Sequence, residues 1–297
     1  MPELPEVETV RARLAPALVG RELTRVEIDD PRLTRPMDPA AVAAALEGER
    51  VRDVERRGKY LVVRFESGRS LLIHLRMTGS IRHAARGTLA HDPYRRAVVR
   101  LDDGSDVVYR DVRRFGTWLV VEPEELEPYL GVRLGGEPLE RTFTSRRLAE
   151  RLRGRQAPIK AALLDQRTLA GMGNIYVDEA LWRARIHPQR PASALDQEEV
   201  ARLTRAVKDA LRAGIARQGA TLRDYSTPDG RRGRMQDTFK VYGRTDEPCP
   251  RCGTPIAKTR AAARGTWYCP QCQQLGADYA TSRGSRAPSR SSRQSSV

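Results

Sequence analysis

Apolar residues near the start of the chain recur at helical spacing. Val7, Val10, Leu14 and Leu18 lie three or four positions apart, and the series stops at Gly20. This period predicts an amphipathic helix that begins directly after the first few residues and ends at the glycine.

Between about residue 22 and residue 121 the pattern changes to short apolar runs that are separated by tight turns. Ser67-Gly68 and Asp103-Gly104 lie between such runs, as hairpin turns do. Short strands joined by tight turns favour an antiparallel β-sandwich with flanking helices, which we assign to residues 1–121. The predicted strands cover residues 59–65, 70–75, 98–101 and 107–109.

The second half of the chain returns to helical spacing. Residues 122–150 are rich in Pro, Gly and Glu and are interpreted as a linker. The helical spacing over residues 151–238 predicts a helical domain, in which a glycine turn at 169–174 separates two helices. A further helix begins at a capping box of Asp196 and Glu199. The basic loop 220–234 follows, and we expect it to be mobile. The fold class is therefore α+β, with more than one domain.

All four cysteines fall in one short segment, Cys249-x2-Cys252 and Cys269-x2-Cys272. This spacing is typical of a four-thiolate zinc ribbon, and such a site has no open position for catalysis, so we expect one structural zinc ion. A redox dithiol pair is the alternative, but the surrounding pattern is not thioredoxin-like. Residues 239–275 form the predicted hairpin, whose basic residues are Lys258, Arg260 and Arg264.

The chain has 297 residues and a formal net charge of +15, and arginine far outnumbers lysine. Guanidinium groups suit bidentate phosphate contacts, so a polyanion such as DNA is the expected partner; an arginine-rich proteome would give a similar excess. No signal peptide or membrane-length apolar run is evident, which favours a bacterial cytoplasmic, nucleoid-associated protein. A monomer is the default expectation. The Ser/Arg-rich tail, 276–297, predicts disorder.

The first residues carry candidate chemistry. Removal of Met1 would expose the secondary amine of Pro2 beside the carboxylate of Glu3. A terminal amine titrates near 7.7–8.0, against about 10.4 for lysine, so it is the better nucleophile at neutral pH. The alternative is an ordinary capped helix, because proline and glutamate are both common at helix starts.

Several ordered motifs resemble the formamidopyrimidine-DNA glycosylase and endonuclease VIII family of repair enzymes. They are PELPEVE at 2–8, RGKYL at 57–61, HLRMTGS at 74–80, RRFG at 113–116, GMGNIY at 171–176, VYGR at 241–244 and the cysteine ribbon. The resemblance implies a β-sandwich joined to a helix-two-turn-helix domain and a zinc hairpin, with double-stranded DNA between them. The DNA would contain oxidised bases or abasic sites, and the loop 220–234 would cap the lesion.

The resemblance also implies residue roles. Pro2 would be the Schiff-base nucleophile, Glu3 the acid that opens the sugar, and Lys59 and Arg264 the residues of β- and δ-elimination, acting chiefly by holding phosphates. Removal of oxidised purines is the implied reaction. The residues expected to contact DNA are His74, Met77, Arg113, Phe115, Arg155 and Asn174.

Alternatives stay open at several positions. Met77 and Phe115 could belong to the sheet core instead of filling the space left by a flipped base, and Asn174 could be a plain helix cap. His74 and Arg155 could be an ordinary sheet residue and a surface charge. The family's DNA-contacting histidine would be replaced by either Tyr94 or His91. Endonuclease VIII-like removal of oxidised pyrimidines, or DNA binding without catalysis, are the competing functions.

Overall fold

The computed structural model describes residues 1–275, so the predicted disorder of 276–297 lies outside the described residues. Seven α-helices and ten strands are found in this part of the chain. The helices are α1 (Leu4–Leu18), α2 (Pro39–Leu46), α3 (Pro123–Gly131), α4 (Ser145–Leu152), α5 (Ile159–Leu164), α6 (Asn174–Ala184) and α7 (Gln197–Ala216). The strands are β1 (Leu23–Ile28), β2 (Val51–Arg57), β3 (Tyr60–Phe65), β4 (Ser70–His74), β5 (Gly79–Ala85), β6 (Arg95–Leu101), β7 (Ser105–Asp111), β8 (Thr117–Val121), β9 (Ala257–Ala261) and β10 (Arg264–Tyr268).

The N-terminal part is an antiparallel β-sandwich, as the sequence predicts. One sheet has the order β1-β6-β7-β5 and the other the order β2-β3-β4-β8. Apolar residues from the two sheets meet in one core, and the predicted stripe of α1 joins it through Val7, Val10 and Leu14. The apolar face of α1 that the sequence predicts therefore packs on the sandwich.

Strand register brings the sequence motifs to one edge of the sandwich. Tyr60, next to Lys59, pairs with His74 across β3 and β4. Gly79, at the start of β5, pairs with Asp111, at the end of β7. Side chains that are far apart along the chain therefore leave the two sheets close together.

The segment 122–150, interpreted from the sequence as a linker, contains two packed helices. Leu126 and Leu130 of α3 lie against Val62 and Leu72 on the outer face of the second sheet. Helix α4 packs on α7. The sequence pattern missed α3 because Pro and Glu, taken as loop residues, here lie in its first turn, where both are favourable.

A residue near the start of the chain completes the core of the helical domain. Leu4 of α1 is buried in the core that α5, α6 and α7 build, and its amide donates to the carbonyl of Gly171 at 3.0 Å. Gly171 has a φ of +83°, and a Cβ there would lie 2.7 Å from Leu4. Glycine is required at this close approach, which joins the chain start to the helical domain.

The C-terminal hairpin consists of β9 and β10 in antiparallel register. Its tip is the pair Ala262 and Ala263, both with positive φ, and Arg264 follows immediately. Trp182 of α6, Val241 and Ile256 pack around the cysteine cluster. Among residues 1–275, none of the helices combines the length and apolar character needed to cross a bilayer.

Candidate active site and nucleic-acid interface

The start of the chain lines a cleft between the sandwich and the helical domain. Pro2 is buried and borders a cavity of about 340 Å³ together with Met77 and Arg113. An adjoining cavity of about 530 Å³ is bordered by a second group of predicted site residues. Five residues border both cavities, so the two form one continuous cleft. The second group comprises Glu3, Lys59, His74, Asn174 and Arg264, and the shared residues are Met1, Met77, Ile175, Leu222 and Tyr242.

Glu3 is buried at the N-terminus of α6 and belongs to the helix cap. Its carboxylate accepts the amides of Ile175 at 3.0 Å and Tyr176 at 3.3 Å. Burial raises the pKa of Glu3, while Lys59 and these two amides oppose the rise. A carboxyl group with a raised pKa beside the chain start can serve as a proton donor.

Lys59 projects into the cleft from the tight turn between β2 and β3. Gly58 has a φ of +59°, and its amide donates to the carboxylate of Glu137, which also accepts from Arg56. Only 6% of the Lys59 surface is exposed. Burial lowers the pKa of Lys59, whereas the facing carboxylates of Glu3 and Glu6 raise it. Glu137 was not identified from the sequence, because its partner lies 79 residues away.

Glu6 is a second site residue that the sequence analysis missed. Its carboxylate accepts the amide of Glu3 at 2.9 Å, the hydroxyl of Tyr176 at 2.8 Å and the amide of Ala220 at 2.7 Å. It therefore joins the chain start, α6 and the base of the loop 220–234. Burial, and next the charge of Glu3, raise the pKa of Glu6 to about 7. The spacing of a capping box between Glu3 and Glu6 was the available sequence signal.

His74 is a buried residue of β4 that faces the cleft. Its Nδ1 accepts the amide of Arg76 at 3.0 Å, and its ring stacks edge-on against Tyr60. Burial, together with the charges of Arg76 and Lys59, lowers the pKa of His74 to about 3. The ring is therefore neutral, with its proton on Nε2, and it can donate one hydrogen bond but carries no charge.

Met77, Arg113 and Phe115 lie outside the sheet core, so the core interpretation of Met77 and Phe115 is wrong. Phe115 is 51% exposed, and the Arg113 guanidinium lies 4.7 Å from the centre of its ring. Met77 is half-buried and borders both cavities. An exposed ring under a guanidinium, beside a methionine, is an arrangement suited to entering a base stack.

Asn174 is the first residue of α6, and the plain helix-cap interpretation of it is wrong. Gly173 occupies the cap position, while the Asn174 side chain donates to the carbonyl of Gly265 at 3.0 Å. Lys160, fully buried, donates to the same carbonyl at 3.0 Å and pairs with Asp178 at 2.7 Å. These contacts attach the zinc hairpin to the helical domain and so set the position of Arg264.

The remaining predicted DNA contacts have different surroundings. Arg155 pairs with Asp165 at 3.2 Å, and Asp165, not Arg155, borders the cleft. Tyr94 and His91 are both exposed on the segment before β6. Neither borders the two cavities, so the choice between them stays open.

The loop 220–234 is packed against the sandwich. Tyr225 is buried in the sandwich core, and its hydroxyl donates to the carbonyl of Gln218 at 3.1 Å. The carbonyl of Pro228 accepts the amide of His83 from β5 at 3.2 Å. Leu222, near the base of this loop, borders both cavities.

The four cysteine sulfurs lie within 4.8 Å of one another. Sulfurs around one tetrahedral zinc ion at about 2.3 Å each are separated by distances of this order. Cys249 and Cys269 are buried, and Trp182 Nε1 donates to the sulfur of Cys249 at 3.4 Å. The donor set fits one structural zinc ion, which when bound holds the hairpin folded.

Comparisons with known proteins agree with this arrangement. Sequence models match the formamidopyrimidine-DNA glycosylase N-terminal domain at residues 1–118, the formamidopyrimidine-DNA glycosylase H2TH domain at 134–226, and a zinc finger found in FPG and IleRS at 246–275. A formamidopyrimidine-DNA glycosylase of Symbiobacterium thermophilum is 48% identical over 277 residues, which are 93% of this chain and 90% of that one. One of Geobacillus kaustophilus is 47% identical over 279 residues, 92% of this chain and 100% of that one.

Solved structures are similar over the same range. A mutant of the Lactococcus lactis FPG, in complex with DNA containing Fapy-dG, superposes with a TM-score of 0.86 at 37% identity. MutM in complex with DNA containing carbocyclic 8-oxo-G gives a TM-score of 0.85 at 37% identity. Each comparison covers 92% of this chain and the whole of the other chain.

Base-excision DNA glycosylases with a zinc hairpin are the class to which this fold and cleft correspond. The matched domains extend through most of the chain, and the relatives are far above 30% identity over nearly all of it. The chain therefore belongs to the formamidopyrimidine-DNA glycosylase family and is a DNA repair enzyme with glycosylase and abasic-site lyase activity. The solved complexes of its relatives contain DNA with Fapy-dG, an abasic site or carbocyclic 8-oxo-G.

Proposed function

We propose that this enzyme excises oxidised purines by forming a Schiff base between the amine of Pro2 and C1' of the damaged nucleotide. The observation that carries the proposal is the meeting of Pro2, Glu3 and Lys59 at one cleft. Removal of Met1 frees the secondary amine, which at neutral pH is a stronger nucleophile than a lysine.

The first step exchanges one bond for another at C1'. The Pro2 nitrogen bonds to C1' and gives up its proton, and the glycosidic bond breaks with its electron pair leaving on the base, which takes up that proton. The sugar then opens as C1'–O4' breaks, with Glu3 protonating O4', and an iminium ion remains. Burial, which raises the pKa of Glu3, makes its carboxyl group a better proton donor for this step.

Strand cleavage follows from the iminium ion. Loss of a proton from C2' expels the 3' phosphate, and a second elimination expels the 5' phosphate. Hydrolysis then releases the sugar remnant and restores the Pro2 amine. Lys59 and Arg264 serve these steps chiefly by holding the phosphates, because a guanidinium keeps its proton in water and is a poor proton donor.

The damaged nucleotide must leave the helix before its C1' can be attacked. Met77, Arg113 and Phe115 fill the space that it leaves, with apolar surface against the neighbouring bases and the guanidinium toward the orphaned partner base. Neutral His74, Arg155 and the start of α6 at Asn174 contribute the remaining DNA contacts.

Oxidised purines are the proposed lesions. The similar solved complexes contain Fapy-dG or 8-oxo-G DNA, and Leu4 follows Pro2 and Glu3 here, where the endonuclease VIII branch usually has glycine. Because the curated relatives are bacterial and the substrate is DNA, we place the enzyme in the bacterial cytoplasm at the nucleoid.

Borohydride trapping tests the proposal. Purified protein is incubated with duplexes that carry 8-oxoguanine opposite cytosine or an oxidised thymine, then reduced, and the adduct is mapped by mass. We expect an adduct on Pro2 and mainly with the purine duplex. Preference for the pyrimidine would move the enzyme to the endonuclease VIII branch, and binding without any adduct would favour a non-catalytic protein.

Two variants extend the test. Pro2→Gly should still bind the lesion but form the adduct much more slowly, whereas full base release and strand cleavage would remove the assignment of Pro2. Arg264→Ala should weaken duplex binding and reduce the salt dependence by about one phosphate contact. Arg146→Ala is the matched control, since Arg146 is 89% exposed and pairs with Glu150 on α4. An equal salt slope in both variants would contradict the role of Arg264.

A further inference from the structure

Asp111 lies where two segments of the chain meet the sheet. One carries Met77 and the other carries Arg113 and Phe115, the side chains proposed to fill the space of the flipped nucleotide. Asp111 ends β7 and pairs with Gly79, which begins β5. The segment with Met77 therefore enters the sheet at the place where the segment with Arg113 and Phe115 leaves it. The side chain of Asp111 is beneath both segments and is only 1% exposed.

Hydrogen bonds connect this one carboxylate to both segments. Oδ2 accepts the amides of Phe115 at 2.9 Å and Gly116 at 2.8 Å. Oδ1 accepts the hydroxyl of Thr78 and, at 3.2 Å, the amide of Arg113. The same Arg113 amide also donates to the Thr78 hydroxyl at 3.0 Å. The carboxylate therefore holds the backbone at Arg113 and Phe115 directly, and it holds the segment with Met77 through the side chain of Thr78, the next residue.

The donors to Asp111 are neutral groups. Its backbone carbonyl accepts from Arg96, but no ion pair to its carboxylate occurs among residues 1–275. A buried charge is costly unless hydrogen bonds satisfy it, and here the two segments supply all of the side chain's hydrogen bonds in that part of the chain. The arrangement of the two segments therefore depends on this carboxylate, and the carboxylate depends on both segments.

Steric contact adds to the hydrogen bonds. The hydroxyl of Tyr109 fills the space between Gly79 and Gly116, where a Cβ on either glycine would overlap it. Both segments thus rest on one buried ring and share one carboxylate, so neither can shift without disturbing the other.

We propose that Asp111 is a positioning residue that holds Met77, Arg113 and Phe115 as a single rigid unit for insertion into the base stack. The inference rests on the proposed function, in which these three side chains replace the flipped nucleotide. Because the unit is already ordered when the protein folds, little further conformational entropy is lost when it enters the base stack.

The two activities of the enzyme differ in their need for this unit. Excision from a duplex requires that a stacked, paired nucleotide be replaced. An abasic site in single-stranded DNA has no partner strand and no base to displace, and its cleavage requires only the amine and the phosphate contacts. Loss of Asp111 should therefore slow excision from a duplex and leave the cleavage of an abasic site in single-stranded DNA nearly unchanged.

The experiment compares Asp111→Asn with Asp106→Asn. Asparagine has the shape of aspartate, but its amide nitrogen would face hydrogen-bond donors. Asp106 is a matched control, because it is buried on the same strand but accepts from Gly87 at 2.8 Å and Arg100 at 3.3 Å. Single-turnover excision of 8-oxoguanine from duplex DNA and borohydride trapping on a single-stranded abasic oligonucleotide are measured for each. We expect Asp111→Asn to slow duplex excision at least tenfold, with lyase trapping within twofold of wild type, and Asp106→Asn to change neither.

A second pair of variants avoids the removal of a charge. Thr78→Val deletes the hydroxyl that joins Met77's segment to Asp111, while Thr78→Ser keeps it. Duplex excision should fall in Thr78→Val and recover in Thr78→Ser. This pair decides the question if Asp111→Asn does not fold.

Two results would overturn the inference: normal duplex excision by folded Asp111→Asn or by Thr78→Val, or an equal loss of duplex excision and single-strand trapping. The second result would mean that the carboxylate supports the whole domain and not the inserted unit. A wild-type protein that forms no Pro2 adduct on either substrate would instead contradict the proposed function, so the two failures are distinguishable.

Discussion

The carboxylate of Glu3 accepts the amide of Ile175 at 3.0 Å, across 172 residues of sequence. The second residue of the proposed catalytic pair is therefore also the cap of a helix in the other domain. A helix N-terminus favours a nearby carboxylate, and this one lacks a side-chain cap of its own at Gly173. The contact places the chain start, and with it the Pro2 nitrogen, against the helical domain.

Gly173→Ala should reduce catalysis by displacing the carboxylate of Glu3. A Cβ at position 173 would overlap the Glu3 side chain and push the carboxylate away from α6. We expect adduct formation with 8-oxoguanine duplex to fall at least tenfold, as measured by borohydride trapping. Gly131→Ala is the control, because a Cβ at position 131 meets no atom within 4 Å. Equal trapping by the two variants would refute the dependence of Glu3 on this glycine.

Glu6 should make the stability of the protein fall as the pH rises. Its pKa is about 7 in the folded protein, against 4.5 for a free glutamate, so the folded state binds the proton more tightly. The stabilisation is complete below about pH 4.5 and is lost as the pH rises through 7; it is at most on the order of 3 kcal/mol. Glu6→Gln removes this dependence.

Thermal unfolding of wild type and Glu6→Gln from pH 5 to pH 8 tests this expectation. The melting temperature of wild type relative to the variant should fall across this range. Glu3 and Asp178, whose pKa values are also raised, are present in both proteins. A constant difference between the two melting temperatures would contradict the assignment to Glu6.

Lys160→Met should be strongly destabilising. Lys160 and Asp178 are both fully buried, and removal of the lysine leaves a buried carboxylate without its cation. Such a loss costs about 3–5 kcal/mol, whereas replacement of both partners by apolar residues is far less damaging. We expect a large fall in melting temperature for Lys160→Met, recovered in the double variant with Asp178→Leu. Arg146→Met, which breaks an exposed pair, should change stability by less than about 0.5 kcal/mol.

Zinc removal should separate the hairpin from the rest of the protein. Chelation should release the four sulfurs, unfold β9 and β10, and abolish duplex trapping because Arg264 loses its position. Trp182, whose Nε1 donates to Cys249 at 3.4 Å, should report the loss by a change in fluorescence. Added zinc should restore both signals. Intact trapping after complete chelation would show that the hairpin does not position Arg264.

Some parts of the site could be predicted because their signal is local. Cys249, Cys252, Cys269 and Cys272 have the spacing that one tetrahedral ion imposes, and the fold brings their sulfurs within 4.8 Å. The stripe of α1 and the capping box of α7 also follow from short-range periods, and both are confirmed. Each of these features involves only a short stretch of sequence, so residue type and spacing are enough to predict it.

Other parts depend on contacts that no spacing encodes. Asp111 has the sequence context of any strand end, and Lys160 that of any basic helix residue. Asp111 also accepts from Thr78, 33 residues earlier. Lys160 pairs with Asp178 and donates to the zinc hairpin. Only burial turns such an ordinary charge into one that must be satisfied. The helices α3 and α4 were missed for a related reason, since their apolar residues become informative only against the surfaces that they cover.

By itself, the amino-acid sequence determined the change from strand spacing to helical spacing, the four-cysteine pattern and the residues next to the chain start, because each of these features lies in neighbouring residues. The tertiary structure alone decided how these parts meet. Glu3 reaches α6, Glu6 reaches the base of the loop 220–234, and Asp111 joins two segments. In each case the buried carboxylate accepts at least one hydrogen bond from a group that is distant in the sequence, and only folding brings that donor to it.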